Sequence, residues 1–76
     1  MSSQYDHYSI DIQWSVEDEL YVASVPELPG CQAEGKTHLE AARRVQDAIA
    51  TWIHGNQQLG LPIPPPRLWK NERLHQ

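Results

Sequence analysis

Histidine, cysteine and paired carboxylates are the residues of this chain that could do chemistry, and their spacing decides whether they can act together. His7, His38, His54 and His75 stand 31, 16 and 21 residues apart. No two share a turn of one helix, as a compact metal-ligand or acid-base pair would require, so surface and capping roles fit them. Cys31 follows Gly30 with no base beside it in the sequence; it reads as a small apolar filler and not as a nucleophile. Asp11, Glu40 and Asp47 could hold Mg²⁺ if a sheet and a helix brought them together, but no spacing fixes that meeting. There is no Gly-rich phosphate loop and no Gly-x-Ser-x-Gly elbow. We therefore expect no enzyme, no metal and no cofactor, with a residual metal-dependent nuclease as the catalytic alternative.

Charge offers a stronger signal. Residues 1–35 carry seven acidic side chains and no Lys or Arg, whereas residues 36–76 carry six basic against three acidic. The first half thus stands at −7 and the second at +3, giving the net −4 of the whole. A one-sign acidic half repels phosphate backbones, which argues against direct DNA or RNA binding. It steers a basic protein instead. Asp11, Glu17, Asp18, Glu19 and Glu27 are the expected contact charges. Trp69, in the tail beyond the proline run, is the expected aromatic anchor, with Arg67 beside it.

These groups must be positioned by few elements. At 76 residues the chain makes one small domain, and such a domain buries only about 60% of the surface of its unfolded chain, so oligomerisation would help it. One cysteine rules out an internal disulfide framework. No apolar run reaches the ~18–20 residues of a membrane span, and the first residues lack the pattern of a signal peptide, so a cytoplasmic protein is expected. Residues 1–7 read as a disordered N-terminus and 67–76 as a polar C-terminal tail, leaving 8–66 as the domain.

Alternation of Tyr8, Ile10, Ile12 and Trp14 with Ser9, Asp11 and Gln13 predicts a half-buried strand, its apolar face including Trp14. Leu20 to Val25 predicts a second, paired antiparallel across the polar connector Ser15 to Glu19. Pro26 stops that ladder, Glu27-Leu-Pro-Gly30 forms a rigid turn, and Cys31 to Glu34 supplies a short third strand. Thr37-His-Leu-Glu40 has the form of a capping box and starts a helix. Leu39, Ala42, Val45, Ile49, Trp52 and Ile53 would form its apolar stripe. The helix runs to Gln58, with Gly60 as its left-handed terminator. Leu61 to Pro66 is stiff and extended, with at most a brief edge pairing at Ile63. The fold class is α+β: β-β-β-α-β, a three-stranded antiparallel sheet with a marginal fourth strand and one helix packed on it.

Several strings of this order resemble a known family. Tyr21-Val-Ala-Ser-Val-Pro-Glu-Leu-Pro-Gly-Cys31, Gly35-Lys-Thr-His-Leu-Glu-Ala-Ala42, Asp47-Ala-Ile49 with Trp52, and Gly60-Leu-Pro-Ile-Pro-Pro-Pro66 are similar to the pattern of the HicB-like antitoxins, of the short, stand-alone N-terminal domain type. The likeness runs from about Tyr8 to Pro66. It implies a fold like a trimmed ribonuclease H domain, and an antitoxin that masks HicA, a small basic toxin that cleaves mRNA. Leu20 departs from the Gly that this family often has before the aromatic residue. Longer relatives carry a C-terminal operator-binding motif for which ten residues after Pro66 leave no room, so autorepression by this chain alone is not expected. The expected function is therefore neutralisation of a HicA-like toxin, with a homo-oligomer (dimer or tetramer) joined at strand edges as the expected assembly. A homo-oligomeric regulatory or structural protein without a toxin is the alternative.

Overall fold

A computed structural model describes residues 7–69. Its elements are β1 (Asp11–Ser15), β2 (Leu20–Ser24), β3 (Gln32–Gly35) and α1 (His38–Gln58), with the sheet in the order β1-β2-β3 and both pairings antiparallel. The expected α+β arrangement of three strands and one helix is what the chain adopts. Residues 61–69 contain no strand, so Ile63 makes no ladder pairing; four prolines among residues 62–66 remove the donors that one would need. The remaining residues assigned to the N-terminal segment and the tail, with His75, lie outside the described residues.

Cross-strand register fixes which side chains face the helix. Ile12 pairs with Ala23 and Ala23 with Ala33, while Trp14 pairs with Tyr21 and Tyr21 with Gly35. Ala23 is fully buried beneath α1. Because side chains alternate along a strand, Asp11, Gln13, Val22, Ser24, Gln32 and Glu34 occupy the side that α1 does not cover.

The first strand is shorter than its alternation predicts. Pairing starts at Asp11 because the Ser9 N–H is taken by the Glu27 carboxylate at 3.0 Å. β3 likewise starts one residue late. Cys31 belongs to the turn, where its N–H donates to the Leu28 carbonyl and its carbonyl accepts from Val25, both at 3.0 Å.

The helix starts as the capping box requires. Thr37 is extended, and its hydroxyl accepts from the Glu40 N–H at 3.0 Å. The Glu40 carboxylate reaches back one residue further than expected, to the Lys36 N–H at 2.6 Å. At the other end Gly60, with φ +71°, donates to the Gln57 carbonyl, and Leu61 donates to that of Asn56. This is the paired termination that satisfies the last carbonyls of a helix.

The stripe that packs down is Ala41, Val45, Ile49 and Ile53, all buried. Ala42 and Trp52 flank it, half-buried. Leu39, expected in the stripe, is 62% exposed, because it stands roughly 100° around the helix from the centre of that stripe. The first turn of α1 itself lies against the end of β3. There the helix backbone meets Gly35 so closely that a Cβ on that residue would lie 2.8 Å from the Glu40 carbonyl carbon and 2.9 Å from the Ala41 Cα. Glycine is needed for that approach.

Val25, Leu28 and Cys31 complete the core from the turn between β2 and β3. Leu28 is fully buried, worth about 1.5–3 kcal/mol for a side chain of its size. No hydrophobic period points to it, since it is the one large apolar residue between Pro26 and Pro29.

Candidate functional site: the two ends of the sheet

Five acidic residues were expected to share one exposed surface, and the structure divides them. Glu17, Asp18 and Glu19 lie together in the turn joining β1 and β2, all exposed. The turn is closed by the Glu19 N–H donating to the Ser15 carbonyl at 2.8 Å, with Glu19 at φ +55°. Asp18 is held by Ser15, whose Oγ lies 3.3 Å from both its carboxylate and its N–H. Among the described residues none of the three carboxylates meets a cation; the ion pair that does form, Arg44 with Glu40 at 3.7 Å, is on α1.

Asp11 is exposed on the helix-free side, four residues along β1 from Ser15 and therefore about 13 Å from the turn. Glu34 shares that side, so the acidic character of the first half reaches the outside at the β1–β2 turn and across the open sheet face.

Glu27 belongs to neither place. Its Oε2 accepts from the Ser9 N–H at 3.0 Å, the Ser9 hydroxyl at 3.1 Å and the Arg67 N–H at 2.9 Å. Three distant segments thus meet on one oxygen, while Oε1 is buried without a partner. Burial pushes this carboxyl up, but the hydrogen bonds from Arg67 and Ser9 outweigh it and hold Glu27 below its usual value. A neighbouring tie repeats the design: the Tyr8 hydroxyl donates to the Pro64 carbonyl. Glu27 is a clasp for the proline-rich segment and not a free charge for a partner. Sequence could not reveal this, because its contacts lie 18 and 40 residues away.

Aromatic residues divide in the same way. Trp52 lies half-buried and donates its indole N–H to the Pro29 carbonyl at 2.9 Å, which locks α1 to the turn carrying Leu28. Trp14 is 51% exposed and is not the core residue that alternation predicts. α1 crosses β3 and β2 and leaves the end of β1 uncovered. Trp14 instead meets Tyr21 edge-on, with ring centroids 5.0 Å apart, and Tyr21 meets His38 at 4.1 Å. Trp69, expected as an anchor, is 84% exposed, and the Arg67 side chain is exposed as well.

The three carboxylates named for a metal-dependent nuclease, Asp11, Glu40 and Asp47, are not brought together. Alternation places Asp11 on the side of the sheet away from Glu40 and Asp47. Among the described residues no group of three or more His, Cys, Asp or Glu side chains could hold a metal ion. Burial pushes the Cys31 thiol up, away from the thiolate that reactivity needs. An open hollow of about 370 Å³ lies at the first turns of α1 between Thr37 and Arg44, lined by helix-face side chains. No helix among the described residues is long and apolar enough to cross a membrane.

Comparison with known proteins converges on one family. A family profile described as UPF0150-like matches residues 12–64. The UPF0150 protein Ta0767 of Thermoplasma acidophilum is 42% identical over 48 residues, which is 63% of this chain and 70% of that protein. The matched span begins inside β1 and ends in the proline-rich segment, so it covers the sheet, the helix and both ends just described.

Proposed function

Since the chain belongs to the UPF0150-like family, we propose that it is an antitoxin-like protein of HicB-like type, which binds a small basic HicA-type toxin and masks the face with which that toxin holds mRNA. The functional class comes from the resemblance of the Val25-Pro-Glu-Leu-Pro-Gly-Cys31 string and the helix that follows it. The physical support is the β1–β2 turn, where Glu17, Asp18 and Glu19 are exposed with no cation among the described residues. An mRNA-cleaving protein must be cationic where it meets phosphate. Carboxylates that meet no cation among the described residues attract that same surface and compete with RNA for it.

On this account the chain works by binding and carries out no bond-making of its own. Asp11 extends the attraction along the open sheet face, and Trp69 with Arg67 supplies contacts from the tail. The test is co-expression with a small basic reading frame adjacent to the gene. The expected result is a complex that survives purification and restores growth that the basic protein alone arrests. A neighbouring frame that encodes no small basic protein, or one whose product neither arrests growth nor binds, contradicts the proposal.

A further inference from the structure

The segment that the Glu27 clasp holds down presents a ridge. Proline fixes φ near −65°, and each residue before a proline is pushed to extended backbone, so Leu61 to Pro66 is stiff and close to polyproline II. That helix repeats every three residues. Ile63 and Pro66 are half-buried against the domain, whereas Pro62, Pro65 and Leu68, one repeat face, are all exposed, with the Arg67 side chain beside them. Ridges of this kind are bound by aromatic-lined grooves, with a carboxylate to meet the flanking cation.

The same chain carries such a receptor at the other end of the sheet. Trp14, Tyr21 and His38, the first residue of α1, form a row of rings whose outer member Trp14 is 51% exposed, and the turn of Glu17, Asp18 and Glu19, which meets no cation among the described residues, follows Trp14 closely in the chain. The described proline segment of a chain does not lie on the row of that same chain. Ser9 and Arg67 meet on Glu27, and from Ser9 to Trp14 the strand spans about 16 Å, so the ridge is fixed at the far end of β1.

We propose that the row of one copy receives the proline ridge of a second, reciprocally, so that two chains pair with Pro62, Pro65 and Leu68 against Trp14 and Tyr21, and Arg67 against the acidic turn. The opposite charges of the two halves of the sequence favour this head-to-tail match, and a two-fold axis closes it. Because Glu17 to Glu19 belong to both surfaces, a basic partner and a second copy compete for the turn.

Sedimentation of the full chain from micromolar to about 1 mM tests this, the upper limit being a concentration at which a millimolar contact is half formed. The expected result is a concentration-dependent dimer. Trp14→Ala should weaken it by about tenfold or more, as loss of an exposed aromatic anchor does. Arg67→Glu should weaken it similarly, and the same chain carrying also Glu17→Lys and Asp18→Lys should recover it, since both reciprocal sites regain opposite charge. These side chains lie outside the core, so far-UV circular dichroism should be unchanged. If Trp14→Ala fails to fold, the charge reversal decides alone. A wild-type monomer at every concentration overturns the proposal, as does a dimer indifferent to these substitutions or a reversal that does not recover.

Discussion

The two ends of the sheet use the same residue types for opposite purposes. At the Val25–Cys31 end a glutamate, a tyrosine and a tryptophan all spend their polar atoms inside the molecule: Glu27 on Ser9 and Arg67, Tyr8 on Pro64, Trp52 on Pro29. At the β1–β2 end the carboxylates and Trp14 face outward, held by little beyond one backbone turn and Ser15. One end is built to keep the fold closed. The other leaves its charges and Trp14 open to solvent. In a domain this small, the segregation lets the outward end change its charge with little effect on stability.

Substitutions should therefore divide by end, and the largest effect belongs to the closed one. Leu28→Ala should cost about 2–5 kcal/mol, because a fully buried side chain leaves a cavity under two rigid prolines. Chemical denaturation measures it; a loss below about 1 kcal/mol would mean that the Val25–Cys31 turn is not the keystone of the core.

Glu27→Ala should come next, at about 2 kcal/mol, the order of the charge-assisted hydrogen bonds it removes. The same clasp gives a pH signature. The folded pKa of Glu27 is lowered from 4.5, so its stabilisation is fully present above the unfolded value. It fades as pH falls through the lowered one. Melting temperature should thus drop more steeply below about pH 4.5 in the wild type than in Glu27→Gln. Equal slopes would place the acid sensitivity elsewhere.

The smallest stability effect belongs to the open end. Changing Glu17, Asp18 and Glu19 together to their amides should leave stability within about 0.5 kcal/mol, since the three are exposed, meet no cation among the described residues, and an amide at position 18 can still accept the long Ser15 hydrogen bond. A larger loss would erase the contrast between the ends.

Much of this was legible in the residues themselves. Thr37 and Glu40 announced the helix start, Gly60 its end, and alternation with a proline stop gave the first two strands their extent within a few residues, because these signals are local. What failed was reach. Alternation put Trp14 in the core and helical spacing put Leu39 there. The causes differ: alternation says which face Trp14 occupies but not how far α1 extends over it, whereas successive three-residue steps back from Val45 to Leu39 drift around the helix and off the stripe of Ala41, Val45, Ile49 and Ile53. α1 is seated against Gly35 and crosses away from the end of β1. The acidic half was visible as composition, yet only the fold could separate Glu27, whose partners are distant in sequence, from the three free carboxylates of the turn.

The exposed carboxylates of Glu17, Asp18 and Glu19 are proposed to act outward, on a cationic protein. Stopped-flow association of the chain with the proposed small basic partner, in low and in high salt, reads this out. The wild-type rate should fall by about tenfold or more as salt shortens the field to a few ångströms, while the chain with the turn neutralised should start slow and hardly respond. Identical salt profiles for the two chains would contradict the claim.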